Sequence, residues 1–149
     1  MINLQEKPFY LEQEAIDWVN ETLENMTIEE KIGQLFIHLG RSTDEGYLKN
    51  MVEKFHIGGA RYIETDSEKI FRQNQIYQKF SKIPMFVAVN GETGGNGLCK
   101  DGTFVATEAE CEAAGDTEAA YMMGKVSGSE AQALGCNWNF APMADIVFN

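Results

Sequence analysis

Cysteine, histidine and proline are all scarce in this sequence. Its 149 residues include three cysteines, two histidines and three prolines. Cys99, Cys111 and Cys136 form an odd set without a CxxC pair, which argues against a structural zinc site and against a disulfide framework. We therefore expect three reduced thiols in a cytoplasmic protein, with no metal and no cofactor.

Basic residues are outnumbered by acidic ones, and long apolar runs are missing. The 12 basic residues face 23 acidic ones, so the formal net charge is −11. A surface this acidic repels phosphate backbones and anionic lipids, so neither nucleic acid nor a membrane is an expected partner. No apolar stretch approaches the roughly 20 residues of a membrane helix. The first residues lack the basic and apolar regions of a secretory signal, so none is expected.

The residues that are present predict one packed domain of alternating helices and strands. Hydrophobic residues make up 44% of the chain, and they recur at helical spacing over 12–25, 44–55, 67–80 and 116–134. A capping-box pattern at Thr27 and Glu30 predicts a short helical turn. Apolar runs predict buried strands at 32–39, 60–63 and 85–89, and strand-like segments at 136–142 and 143–147. The segment 90–115 is polar and glycine-rich.

This rhythm indicates about four βα units on a parallel sheet, hence an α/β fold. A closed (β/α)8 TIM barrel needs eight units and about 250 residues, so the pattern fits the first half of such a barrel. A small doubly wound sheet of four or five strands is the competing interpretation. We expect an N-terminal amphipathic helix within 1–25, followed by a half-barrel at 26–149.

Four segments resemble the catalytic domain of glycoside hydrolase family 3, in the order and at the spacing of that family. They are Met26–Phe36, His56–Gly59, Lys82–Gly95 and Gly135–Ile146. The nearest resemblance is to its bacterial β-N-acetylhexosaminidase-like branch. It implies a (β/α)8 barrel, a carbohydrate substrate and retaining hydrolysis of β-glycosides through a covalent glycosyl-enzyme. It also implies that the nucleophilic aspartate and the histidine–aspartate acid/base pair come after residue 149, so no catalytic residue is expected in this chain.

Asn90 is the position at which the sequence departs from the family. It ends the third predicted strand, where the family commonly has an aspartate that accepts hydrogen bonds from sugar hydroxyls. An asparagine can still accept and donate, but it loses a charge-assisted bond that is about twice as strong. The branch also often has an arginine after the paired glycines, and Gly94 and Gly95 are followed by none. Both departures weaken the expectation of the family's usual specificity.

The expected sugar-binding residues lie in the loop after the third strand and at two other strand ends. They are Asn90, Glu92, Gly94, Gly95, Asn96, Asp145 and His38. Glycines let the backbone approach a ligand closely, whereas Asn90 could instead be a turn former and His38 a satisfied core or loop histidine. Glu92 and Asp145 follow predicted strands, where barrel sites are built, and we expect them to orient loops rather than to catalyse. Three further carboxylates are interpreted as surface groups: Asp101, Glu108 and Asp116.

The resemblance implies an N-acetyl-β-D-glucosaminidase, and we expect the isolated 149-residue chain to be inactive. Two other functions compete with this interpretation. A nucleotide or phosphate site is disfavoured because the glycines of 91–97 lack both the lysine and hydroxyl residue of a P-loop and a Rossmann fingerprint. A half-barrel would leave two open parallel edges. The chain could therefore be a non-catalytic binding module that assembles into a homo-oligomer through those edges.

Overall fold

Helices and strands alternate along the computed structural model, which describes residues 2–63 and 65–145. The helices are α1 (Gln13–Asn25), α2 (Ile28–Gly33), α3 (Glu45–Phe55), α4 (Ser67–Phe80), α5 (Glu108–Ala114) and α6 (Thr117–Ala133). The strands are β1 (Ile37–Gly40), β2 (Gly59–Tyr62), β3 (Phe86–Val89) and β4 (Trp138–Asn139). Within these residues no helix combines the length and the apolar character that crossing a bilayer requires.

The four strands form one parallel sheet in the order β1-β2-β3-β4. On one face Ala60 and Val87 are buried at 1% and 0% exposure, whereas Leu39 and Phe86 on the other face are 40% and 57% exposed. A doubly wound sheet would reverse its strand order and carry helices on both faces. The sequential order and the single covered face are those of a barrel wall, so the predicted βα units on a parallel sheet are confirmed.

The core lies between this sheet and its helices, in two clusters. The first joins β2 and the residues just before β2 and β3 to the helices α3 and α4, through buried residues Leu48, Val52, Ile57, Ala60, Ile76, Tyr77 and Met85. The second joins β2 and β3 to α6 and the loop after β3, through Tyr62, Ile70, Val87, Val89, Leu98, Cys99, Ala131, Leu134 and Cys136. The second cluster therefore fixes the loop that carries most of the predicted site residues.

Polar side chains complete the contacts between α4 and its neighbours. The amide of Asn74 donates to the Leu134 carbonyl at 2.8 Å, which ties α4 to the end of α6. Gln78 accepts from the Met85 N–H at 3.1 Å and donates to the Met85 carbonyl at 3.0 Å. Because buried backbone groups need partners, these amides let the helix lie directly against the start of β3.

The predicted first helix and capping box are confirmed, whereas the predicted first strand at 32–39 is confirmed at 37–39 and wrong at 32–36. Thr27 accepts from the Glu30 N–H at 3.2 Å, and the Glu30 carboxylate accepts from the Thr27 N–H at 2.9 Å. This cap starts a helix that continues through Gly33, so β1 begins only at Ile37. The run is not buried either, since Leu35 is 82% exposed. A short continuous run of apolar residues does not by itself distinguish helix from strand.

The predicted loop at 90–115 contains a helix, α5, that the sequence interpretation missed. Thr107 accepts from the Glu110 N–H at 3.2 Å, and the Glu110 carboxylate accepts from the Thr107 N–H at 2.7 Å. This is a second capping box, with the same Thr-x-x-Glu spacing as the first. The left-handed Gly115 ends α5 at φ 62°.

The strand-like interpretation of 136–147 is correct over a shorter range. Only Trp138 and Asn139 pair with β3, opposite Ala88 and Val89. Residues 140–145 are not in a strand, so the prediction for 143–147 is wrong at 143–145. Its remaining positions, 146 and 147, lie outside the described residues. The other predicted helices and strands agree with the structure to within one residue at their termini.

Candidate functional site

The loop after β3 starts with a pair of polar side chains at the carboxyl edge of the sheet, where parallel βα folds build their sites. Asn90 is half-buried, and its Nδ2 lies 3.5 Å from Glu92 Oε1. Its Oδ1 is buried without a hydrogen-bond partner in the described part of the chain. Since an unpaired buried acceptor costs free energy, Asn90 presents an oxygen that a hydroxyl donor would satisfy.

The glycines that follow lie at the start of a hairpin over residues 94–104. Gly94 has φ 106°, and a Cβ there would lie 2.6 Å from the Thr103 carbonyl. The hairpin is closed by an antiparallel bridge between Gly94 and Phe104 and by a 2.7 Å hydrogen bond from Thr93 Oγ1 to Asn96 Oδ1. The positive φ favours glycine. The backbone conformation that only glycine adopts easily is therefore needed for packing within the loop itself. That these glycines also let a ligand approach the backbone stays a prediction.

Glu130 of α6 supports this hairpin from behind, and sequence interpretation missed it. Its Oε2 accepts from the Thr103 N–H at 3.1 Å. A Cβ added at Gly95 would overlap the Glu130 carboxylate. The pairing of a glycine with a distant helical carboxylate has no signature in one sequence, because the two residues are separated by α5.

Asp101 fixes the far side of the loop to the start of α4. Its two carboxylate oxygens accept from the Ser67 N–H at 2.8 Å and the Ser67 hydroxyl at 2.6 Å. The Ser67 hydroxyl, followed by the Ser67 N–H, lowers the pKa of the Asp101 carboxyl. Lys100 N–H also donates to the Thr65 carbonyl at 3.0 Å. The interpretation of Asp101 as a surface group fits its exposure, and its role is structural.

His38 and Asp145 are not brought into contact with the loop. His38 Nε2 lies 3.1 Å from the Tyr47 hydroxyl of α3, on the face of β1 where Gly40 meets Gln73 and Tyr77 of α4. Partial burial lowers the pKa of His38. This favours the alternative of a satisfied histidine. Asp145 is exposed, and the structure records no hydrogen bond from it among the described residues. A sugar contact from either residue stays a prediction.

The described part of the chain shows neither a reactive thiol in the loop nor a cluster of metal ligands. The Cys99 thiol is buried, and burial raises its pKa to about 11, so it stays a neutral thiol at physiological pH. All three cysteines are free and buried. Among residues 2–63 and 65–145, no group of three or more His, Cys, Asp or Glu side chains is arranged around a common metal position. The polar groups of the described loop match a polar ligand, and the absence of catalytic residues from this chain stays a prediction.

Comparison with known proteins gives one consistent result. Residues 27–149 match the N-terminal domain of glycosyl hydrolase family 3. The "Beta-N-acetylglucosaminidase/beta-glucosidase" of Cellulomonas fimi is 32% identical over 149 residues, covering 100% of this chain and 26% of that protein. The structure of "Beta-glucoside phosphorylase BglX bound to 2FGlc" has a TM-score of 0.84 at 34% identity, covering 93% of this chain and 25% of its own. A second structure of "Beta-glucoside phosphorylase BglX" has a TM-score of 0.81 at 34% identity, covering 93% and 24%.

The fold is that of an α/β protein of the TIM-barrel class, with the loop after β3 at the carboxyl edge of a four-stranded parallel sheet. The resemblance found in the sequence is confirmed. The chain belongs to glycosyl hydrolase family 3, a family of glycosidases, through the match of residues 27–149 to that family's N-terminal domain. It spans about a quarter of the length of the relatives it matches.

Proposed function

We propose that this chain supplies part of the sugar-binding site of a retaining β-glycoside hydrolase acting on terminal β-linked sugars, with N-acetyl-β-D-glucosaminides as the preferred substrates. The observation that carries the proposal is the unpartnered Oδ1 of Asn90 beside the Glu92 carboxylate. Sugar hydroxyls both donate and accept, so they match an amide oxygen next to a carboxylate. The Cellulomonas fimi relative, with which this chain shares 32% identity, is named for both N-acetylglucosaminidase and glucosidase activity, and the first of these agrees with the proposed substrates.

The catalytic groups are proposed to lie outside these 149 residues. Retaining hydrolysis needs a nucleophile and an acid/base group placed on either side of the scissile bond. Asn90 is neutral, Glu92 is paired with it, and Asp101 is held by Ser67. None of these residues forms a nucleophile and acid pair. The solved neighbours are named as phosphorylases, but residues 90–97 contain no lysine or arginine to hold phosphate, so we favour hydrolysis.

Sugar binding by the chain tests the site, and nitrophenol release tests the missing chemistry. We expect N-acetylglucosamine to shift the amide resonances of residues 90–97 in an NMR titration, and glucose to shift them less. Asn90→Ala should weaken binding by about tenfold, because it removes the unpartnered amide oxygen that a sugar hydroxyl would satisfy. Turnover of an aryl β-N-acetylglucosaminide by the purified chain would contradict the assignment of catalysis to other residues. Unchanged resonances at saturating sugar would contradict the site itself.

Self-association is the second candidate function, and the exposed area favours it. The chain exposes 10226 Å², whereas a compact monomer of 16.7 kDa exposes about 7,600 Å². The excess is about three times the roughly 800 Å² that one partner buries in a standard interface. Large apolar side chains are exposed on the uncovered face of the sheet, where Leu39, Phe86 and Trp138 are 40%, 57% and 43% exposed. A second copy would cover this face.

Sedimentation at micromolar concentration tests this self-association. We expect a dimer or larger species for the chain, and Phe86→Lys should shift it to monomer because a charge then enters the apolar contact. Tyr121→Lys is the matched control, since Tyr121 is exposed at 61% on α6, away from the sheet face. A folded wild-type monomer at that concentration would rule the interface out.

A further inference from the structure

Two asparagines on either side of Trp138 bind the backbone of β3 through their side chains. Asn137 accepts from the Val87 N–H at 2.8 Å and donates to the Met85 carbonyl at 3.0 Å. Asn139 Oδ1 accepts from the Gly91 N–H at 3.0 Å. The β3–β4 pairing covers only two residues in each strand. The side-chain amides therefore extend the contact between these strands at both ends.

The Asn139 contact lies directly within the proposed sugar site. Gly91 connects Asn90 to Glu92, is buried, and lies two residues after Val89, the last residue of β3. A buried N–H must find a partner, and the Asn139 oxygen supplies one. That hydrogen bond fixes the plane of the peptide between Asn90 and Gly91. The directions of the two polar side chains on either side depend on that plane.

The same oxygen also joins the chain segments that leave the two strands. Asn139 Oδ1 accepts from the Ala141 N–H at 3.2 Å as well as from Gly91. The amide nitrogen of Asn139 donates to no protein acceptor recorded among the described residues. The recorded side-chain contacts of Asn139 are therefore made by its oxygen alone. A side chain with an acceptor oxygen in the same place should keep both hydrogen bonds.

We infer that Asn139 is a positioning residue, which holds Gly91 through its Oδ1 and thereby sets the geometry of the Asn90–Glu92 pair for a bound sugar. This inference rests on the proposed sugar site, because positioning matters only if that pair binds a ligand. Asn137 offers an internal comparison, since its side chain holds the start of β3 instead of the loop.

Amide hydrogen exchange of the 149-residue chain tests the contact without any sugar. Asn139→Ala should speed exchange at Gly91 by about tenfold, the effect of losing one hydrogen bond, and leave Val87 unchanged. Asn137→Ala should do the reverse, and Asn139→Asp should behave like the wild type because its carboxylate still accepts. Equal acceleration at Gly91 and Val87 in both alanine variants would mean general destabilisation and would overturn the inference. If Asn139→Ala does not fold, Asn139→Ser replaces it, because its shorter side chain cannot reach both N–H groups.

An NMR titration with N-acetylglucosamine then tests the consequence. We expect Asn139→Ala to weaken binding by about tenfold and Asn139→Asp to stay within about twofold of the wild type. Loss of Gly91 protection with unchanged sugar affinity would overturn the positioning role. A wild-type chain that binds no sugar would overturn the proposed function and the positioning role together. The exchange experiment would still report whether Asn139 holds Gly91.

Discussion

At the scale of single residues, the site depends on close approaches that only small or short polar side chains permit. Gly95 lies against the Glu130 carboxylate, which holds the Thr103 N–H on the opposite strand of the hairpin. A larger residue at 95 would have to displace that carboxylate. The hairpin therefore depends on two residues, one in the loop and one in α6, and a change in either should affect the other.

Gly95→Ala should destabilise the chain by about 1–2 kcal/mol, because the new methyl group moves Glu130 away from the Thr103 N–H. Gly128→Ala is the matched control. A Cβ at Gly128 meets nothing within 4 Å, so alanine in this exposed helical position should stabilise by about 0.5–1 kcal/mol. Urea unfolding followed by circular dichroism measures both. Equal stability of the Gly95 variant and the wild type would contradict the proposed contact.

At the scale of helices and strands, short elements are held at their ends by side chains. Helix α5 has seven residues, which is too short to be stable in isolation. Its capping box and the buried Cys111 side chain hold it in place. Helix α2 is capped in the same way by Thr27 and Glu30. Loss of a cap should therefore release one helix without unfolding the sheet.

Thr107→Ala should weaken α5 by about 1 kcal/mol, the usual cost of losing an N-cap. Reaction of Cys111 with a thiol reagent should accelerate about fivefold as the helix frays. Cys99 and Cys136 should keep their slow rates because they lie in the core cluster beneath the loop. Thr117→Ala is the control, since Asp116 caps α6 instead. Parallel acceleration at all three thiols would indicate global unfolding and contradict a local role.

At the scale of the whole molecule, acidic side chains dominate the charge, and several of them hold the fold together. The net charge is −11. Lys82 lowers the pKa of Glu30 and Lys79 lowers that of Glu45. Hydrogen bonds from Ser67 lower the pKa of Asp101, and those from Thr107 lower that of Glu110. All four contacts require an ionised carboxylate.

The stability of the chain should therefore fall in acid. A carboxyl group whose pKa is lower in the folded state stabilises the fold above its unfolded pKa of about 4. That stability is lost as the pH falls through the folded pKa. We expect the thermal midpoint to be nearly constant from pH 7 to 5 and to fall steadily below about pH 4.5. Asp101→Asn should lower the midpoint at pH 7 and make the acid decline shallower. A decline as steep as that of the wild type would exclude Asp101 from this effect.

The sequence predicts most helices and the parallel sheet because their signals are local. Periodic apolar residues and the Thr27–Glu30 capping box each lie within one element, and the Thr107–Glu110 box could have been recognised by the same spacing. The length of β1 could not be predicted from its own residues. Whether Ile32–Leu35 forms helix or strand depends on the preceding cap and on packing against α3, which a hydrophobic run does not encode.

The sequence singles out Asn90 and Glu92 as candidate site residues, but it gives no sign of the residues that support the loop around them. Asn90 and Glu92 are adjacent to a strand end, which a strand prediction identifies. Glu130 and Asn139 reach the loop across 27 and 48 residues of chain. Such contacts exist only once the sheet has formed, so no local pattern in one sequence predicts them.

The sequential strand order also has a consequence for how the chain folds. Each strand pairs only with the strand before it, so that Ile37 meets Gly59, Gly59 meets Phe86 and Ala88 meets Trp138. The first two pairings close loops of 22 and 27 residues, and the third closes a loop of 50. Because a longer closure costs more chain entropy, folding should proceed from the amino end as a zipper. The strand that carries Asn139 should join last, and the sugar loop should become ordered only in that final step.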